Sequence, residues 1–342
     1  MKRLLNTLYV TSEDAYLTLD GENVVVNRDK AVIGRFPLHT LEDILSFSYA
    51  GASPALMGAC AERGIHLAFC TPNGRFLACV SGASHGNVLL RRTQYRTADD
   101  IPARTRIARH FIFGKVYNSR WSIERTRRDH GMRVNDELLG SASSKLKEFL
   151  PMLPEDDPEA LRGIEGVAAN VYFEAFDEMI LNNKELFRFR TRSRRPPLDP
   201  VNSMLSFAYS LLANDCAAAL EAVGLDSYVG FLHTDRPGRR SLALDLMEEL
   251  RPCIADRFVL TLINNRKVQK KDFIFRESGA VTMTDEARSA FLRAWQEHKR
   301  QEITHPYLKA KLAWGLVPYA QAQLLSRFLR GDLDGYPPFL WK

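Results

Sequence analysis

The chain has 342 residues, 45% of them hydrophobic and 26% charged, with a formal net charge of +6. That length suits about two domains, each large enough to bury a core, and the balance is that of a soluble globular protein. It excludes a low-complexity chain, and no apolar run approaches the ~20 residues of a membrane span. The basic excess raises the prior for a polyanionic partner without establishing one. The opening segment starts basic, but Asn6 and Thr7 interrupt its apolar run, so it does not read as a signal peptide. Cys60, Cys70, Cys79, Cys216 and Cys253 form no CxxC pair and sit in apolar stretches, as expected of buried reduced thiols in a cytoplasmic protein.

Residues 1–90 are predicted to be β-rich. Strands at 16–19 and 24–26 flank Asp20-Gly21, a hairpin turn pair, and a third strand fits 31–36. Ser53-Pro54 reads as a cap followed by proline at the first helical position, opening a helix to about Arg63 with Leu56, Ala59 and Cys60 inward. Strands at 65–70 and 76–80 flank a second turn, Thr71-Pro72-Asn73-Gly74. Residues 91–342 are predicted to be an α-helical domain, so the fold class is α+β with an N-terminal sandwich-like β domain. Helices fit 101–128, 159–181, 201–223, 241–250, 284–300 and 307–328. The first carries Ile107, Phe111 and Val116 at helical spacing amid basic residues, Lys115 included. Arg188, Arg190, Arg192, Arg194 and Arg195 run into Pro196-Pro197, which predicts a loop. Residues 331–342 read as a tail.

Three places carry candidate chemistry. Glu165 lies in Gly163-Ile164-Glu165-Gly166, where small neighbours permit close approach of a ligand or a helix. His233 follows an apolar pair and precedes a basic, turn-rich loop. Ser241 is predicted to cap a helix that Pro252 ends, with Asp245 and Glu248 three apart on one face and Glu249 rotated by about 100°. Read alone, each has a structural explanation: a first-turn glutamate, a satisfied histidine, a solvated acidic face. Read together, carboxylates with one imidazole suit Mg²⁺ or Mn²⁺ better than zinc, and on a basic protein they point to phosphodiester chemistry. A second metal would need a further carboxylate, and Asp245 is the nearest. The arginine run 188–195 suits phosphate contact, as does Arg239.

Three blocks resemble one known family. They are Gly163-Ile164-Glu165-Gly166; Asp199-Pro200-Val201-Asn202-Ser203-Met204-Leu205-Ser206-Phe207-Ala208-Tyr209; and His233 followed by the stretch from Asp235 through Arg251-Pro252. In order and approximate spacing they resemble the CRISPR-associated integrase of spacer acquisition, "Cas one", in a type I-C-like branch. The resemblance covers nearly the whole chain. It implies an N-terminal β domain used for homodimerisation and a C-terminal helical catalytic domain. It implies a hetero-hexamer with a small ferredoxin-like partner, "Cas two", and in several type I systems help from a Cas-four nuclease. It implies a metal-dependent endonuclease and integrase that joins foreign DNA fragments to the CRISPR repeat by transesterification. Carried over residue by residue, Glu165, His233 and Glu248 fall on the metal ligands and Asp245 on the additional acidic position. Tyr209 and Arg251 fall in blocks expected to position DNA. The third ligand here is glutamate where other branches have aspartate. The alternative is a non-catalytic DNA-binding scaffold whose acidic cluster is structural.

Overall fold

The computed structural model describes residues 6–29, 31–80, 82 and 87–342. Residues 1–5, half of the segment on which a signal peptide was judged, lie outside the described residues. The chain folds as two compact units, Met1–Gly86 with Asp285–Gln301, and Asn87–Thr284 with Glu302–Lys342. The fold is α+β, strand-rich first and helical after.

In the first unit, β1 (Thr7–Val10), β2 (Tyr16–Asp20), β3 (Asn23–Arg28), β4 (Ala31–Pro37), β5 (Asp43–Ser46), β6 (His66–Cys70) and β7 (Phe76–Val80) make two sheets. One is antiparallel, β2-β3-β4; the other, β1-β5-β6-β7, is parallel up to β6 and antiparallel at β7. Both predicted hairpins form, with Gly21 at φ +56° and Gly74 at φ +82° taking backbone that favours glycine. Alternation sends Leu17, Val24 and Val26 from one sheet and Val10, Ile44 and Leu67 from the other into a shared core. Leu56 and Cys60 of α1 (Pro54–Arg63) complete it. The Ser53 hydroxyl accepts from the Leu56 N–H at 3.3 Å, as its sequence signal predicts. The parallel partners β1 and β5 are additional to the predicted strands.

The second unit holds α2 (Val88–Asp99), α3 (Ile101–His130), α4 (Asp136–Phe149), α5 (Pro158–Phe176), α6 (Pro200–Ala222), α7 (Ser241–Leu250) and α8 (Arg257–Asn264). The strand pair β8 (Phe273–Phe275) and β9 (Val281–Met283) follows. Then come α9 (Asp285–Arg300), the pair β10 (Glu302–Thr304) and β11 (Lys311–Ala313), and α10 (Val317–Leu329). Aspartate caps with a proline in the first turn start three of the helices. Asp100 accepts from the Ala103 N–H at 2.9 Å, Asp157 from Glu159 and Ala160 at 3.0 Å, and Asp199 from Asn202 at 2.7 Å.

Several expectations change. A single boundary near residue 90 places α9 in the helical domain, yet its packing groups it with the strand-rich unit. There Arg288 pairs with Glu13 at 3.9 Å and Gln296 meets the Tyr9 hydroxyl at 3.5 Å. The helix predicted at 159–181 stops at Phe176, and 307–328 is helical only from Val317, where Pro318 opens the first turn. Ser241 is the first helical residue rather than the cap. α7 ends at Leu250 as predicted, but the chain does not leave helical structure there: a π-helical turn, Pro252–Asp256, leads into α8. Proline cannot donate to the carbonyl one turn back, and the turn re-closes with the Asp256 N–H on the Arg251 carbonyl at 2.9 Å. The tail also differs, because Tyr336 and Phe339 are fully buried. The five cysteines are free thiols, all buried except the half-buried Cys79. Among the described residues no helix is long and apolar enough to cross a membrane.

Candidate metal centre

α3 packs against α5 and α7, and the site lies among them. A Cβ added at Gly114 would come 2.7 Å from the Glu249 Cβ, so only glycine permits α3 and α7 to approach this closely. The next residue, Lys115, is buried and points its ammonium between two carboxylates. Its Nζ donates to Glu165 Oε1 of α5 and lies 2.7 Å from Glu248 Oε2 of α7. Arg251 approaches the other oxygen, Glu248 Oε1, at 3.2 Å. Burial raises the Glu248 carboxyl, but the Arg251 guanidinium and the Lys115 ammonium outweigh burial and hold it down at about 2. Glu248 is therefore an ionised, buried carboxylate. His233 adds to the same lowering field, which places its ring within electrostatic reach of Glu248.

His233 is held by Asp245. Asp245 is fully buried and both its oxygens are committed to the His233 loop. Oδ2 accepts the N–H groups of Phe231 at 2.6 Å and Leu232 at 2.9 Å, and Oδ1 accepts that of His233 at 3.0 Å. The ring Nδ1 lies 2.6 Å from Oδ1. With Nδ1–H directed at a carboxylate, the Nε2 lone pair is the one left for a ligand. These bonds make Asp245 a positioning residue for His233. A Cβ at Gly230 would strike Asp245 Oδ2 at 2.7 Å, so the glycine is required where the loop wraps the carboxylate. His233, Arg104 and Asp235 line a cavity of about 480 Å³, which gives the ring an open side.

The donor chemistry fits a hard divalent cation: two carboxylates from different helices and an imidazole fixed at Nδ1. Among the described residues, the buried Glu248 Oε2 has no partner besides the Lys115 ammonium at 2.7 Å. The Lys115 ammonium occupies the space between Glu165 and Glu248. Among the described residues no three His, Cys, Asp or Glu side chains converge closely enough to hold one ion. Lys115 is the site residue that sequence reasoning passed over as one more basic residue. Its signal was present, since it lies four residues after Phe111 and next to Val116, on the buried stripe of α3.

Beside this centre lies a second buried network. Asp256, on the π turn, accepts from the Tyr209 hydroxyl at 2.5 Å and the Tyr172 hydroxyl at 3.1 Å. Burial pushes its carboxyl up to about 6 against the lowering effect of Tyr209 and Arg251. The Tyr209 ring is sandwiched by two guanidinium groups, Arg192 at 5.2 Å and Arg251 at 5.5 Å from its centroid. Arg192 also bonds Asn202 Oδ1 at 2.7 Å and the Ser206 hydroxyl at 3.0 Å. Tyr209 and Arg251 are buried, and Arg192, half-buried, pins its loop to α6. Arg188, Arg190, Arg194 and Arg195 are exposed on the predicted loop. Arg239 is half-buried, and it donates to the Thr234 carbonyl and lies 3.3 Å from the Ser241 hydroxyl, steadying the His233 loop.

Glu249 faces away from the centre. It is fully buried and accepts from Gln321 at 3.0 Å, from the Tyr336 hydroxyl and from the Phe339 N–H at 2.9 Å. Burial pushes its carboxyl up to about 7. Asn118 of α3 donates to the Glu249 carbonyl at 2.6 Å and the Phe339 carbonyl at 2.7 Å.

Residues 8–297 match the family described as CRISPR associated protein Cas1. The chain belongs to the Cas1 family. It is 48% identical over 343 residues to CRISPR-associated endonuclease Cas1 1 of Chlorobaculum tepidum, with all of both chains covered. It is 50% identical over 347 residues to CRISPR-associated endonuclease Cas1 2 of Rhodospirillum rubrum, again with full coverage of both. A solved casposase bound to an integration product shares this Cas1 fold with a TM-score of 0.82 at 22% identity, over 98% of this chain and 94% of that one. A Cas4/Cas1 fusion of Geobacter sulfurreducens is 36% identical over 97% of this chain and 60% of its own length. A Cas6-RT-Cas1–Cas2 complex shares the fold with a TM-score of 0.79 at 22% identity, over 98% of this chain and 36% of that one.

Proposed function

We propose that this chain is a divalent-metal-dependent DNA endonuclease and integrase that inserts foreign DNA fragments into a CRISPR array by transesterification. One observation carries the metal reading: Glu165 and the ionised Glu248 face each other across the Lys115 ammonium, beside an imidazole whose Nδ1 is fixed by Asp245. Glu165, His233 Nε2 and Glu248 would hold Mg²⁺ or Mn²⁺. Once bound, the ion would polarise a phosphoryl oxygen and stabilise the leaving oxygen. The chain's own contributions are distinct. Asp245 fixes the imidazole tautomer, and Arg251 keeps Glu248 charged. The exposed Arg188, Arg190, Arg194 and Arg195 bind the DNA backbone. The relatives named as endonucleases, and the casposase bound to an integration product, support the reaction class.

The same proposal extends to assembly. A homodimer through the strand-rich unit is supported by Val32, Ile33 and Phe36, exposed along the edge strand β4. A Cas2 partner in a hetero-hexamer, a Cas4 nuclease, the type I-C-like branch and a cytoplasmic location belong to this reading. The test is half-site integration of a short duplex into a repeat-bearing plasmid with Mg²⁺ or Mn²⁺, with and without the small partner. Glu165→Gln, His233→Ala and Glu248→Gln are expected to abolish strand joining while DNA is retained. Full activity in all three would remove the site assignment. The scaffold reading draws on Lys115, which satisfies the two carboxylates without a metal. Chelation separates the two, because a scaffold loses nothing in EDTA.

A further inference from the structure

Glu165 and Glu248 approach the same ammonium from two helices, and Lys115 is 4% exposed. Two facing carboxylates in a poorly solvated crevice repel unless a cation lies between them. An ammonium and a metal ion cannot share that space. Mg²⁺ needs its oxygens at about 2.0–2.1 Å, whereas Lys115 Nζ already lies 2.7 Å from Glu248 Oε2. Lys115 is held by a long, rotatable stem, so its head can leave without moving α3. Arg251 differs: it is wedged over Tyr209 and contacts the opposite oxygen of Glu248.

We propose that Lys115 is the exchangeable cation of this centre: its ammonium fills the space between Glu165 and Glu248 until a divalent ion enters, and then vacates it. The inference rests on the reading of these carboxylates as metal ligands. It makes the metal-free protein a stable, charge-balanced state and makes metal affinity the outcome of a competition.

The test uses the full chain and Mn²⁺ alone, with binding followed by electron paramagnetic resonance and unfolding by calorimetry. Lys115→Met is expected to bind Mn²⁺ roughly tenfold more tightly than wild type. A lysine that merely stayed beside the ion would also weaken binding, so the thermal readout decides. In EDTA, Lys115→Met should melt several degrees below wild type, and saturating Mn²⁺ should close the gap. A deficit that persists in Mn²⁺ would overturn the proposal. A second measurement needs no variant: amine-reactive labelling of wild type, read by mass spectrometry, should modify Lys115 faster in Mn²⁺ than in EDTA. Equal rates would also overturn it. Failure of the underlying reading looks different, because Mn²⁺ would then bind wild type no better than Glu165→Gln.

Discussion

Glu248 and Glu249 are neighbours in one helix, both buried, and they serve opposite sides of the helical unit. On the Glu248 side the partners are Lys115 and Arg251, and the carboxyl is held at about 2. On the Glu249 side the partners are Gln321, Tyr336 and the Phe339 N–H, and the carboxyl rises to about 7. Burial is common to both, so it does not distinguish a functional carboxylate from a structural one. The charge of the partners does: cations keep Glu248 ionised, as the proposed metal ligand must be, while neutral donors hold Glu249 as a bolt for the segment after α10.

The sharpest way to break this comparison is to neutralise each in turn. Glu248→Gln is expected to lower strand joining by about 10³-fold or more, since removing a metal ligand forfeits several kcal/mol of charge stabilisation. Glu249→Gln should leave strand joining within a few-fold when stable protein is assayed. Comparable losses in a single-turnover integration assay would erase the distinction. On the other side, Phe339→Ala should cost about 3–5 kcal/mol of unfolding free energy with metal binding retained, read from denaturant midpoints and Mn²⁺ titration.

Asp256 sharpens the comparison, being buried with tyrosines yet near Arg251. Its folded pKa of about 6 lies above the ordinary 3.8, so the folded state binds the extra proton. Its contribution to stability is therefore whole below about 3.8 and is lost as pH rises through about 6, by on the order of 3 kcal/mol at most. Asp256→Asn cannot ionise and should flatten that slope, as urea midpoints at pH 4.5 and 8 would show. Asp245→Asn should weaken Mn²⁺ affinity by roughly 10–100-fold through the freed imidazole; unchanged affinity would mean that Asp245 does not orient His233. The smallest effect belongs to the exposed arginines. Each of Arg188, Arg190, Arg194 and Arg195 changed to Gln should reduce the slope of log affinity against log salt by about 0.9 if it contacts duplex phosphate.

Much of this was legible in the sequence where the signal is local. Asp20-Gly21 and Asn73-Gly74 marked their hairpins because positive φ favours particular residues, and Ser53-Pro54 marked a helix start. Parallel pairing has no such marker: β1 and β5 meet across the intervening three-stranded sheet β2-β3-β4, and four-residue strands carry little alternation. Pro252 marked the end of α7, since proline's local preference is to stop a helix, but not the π turn that carries the chain on into α8. At the site, residue types and the family resemblance pointed to Glu165, His233 and Glu248. They could not separate arginines that bind outward from Arg192 and Arg251, which turn inward, because facing is set by packing between helices distant in sequence. Lys115 stood on an apolar stripe, a local conflict that only its two carboxylate partners resolve.

The bolt formed by Glu249 and the Phe339 N–H spans 90 residues of chain. At the ordinary pace of translation, about 5–20 residues per second, Glu249 is made roughly 5–20 s before Phe339 exists. During that interval a buried acid and the groove for two aromatic rings stand open. A nascent chain in this condition is a natural client for chaperones, and a premature stop codon within the last dozen residues would release it in the same unfinished state.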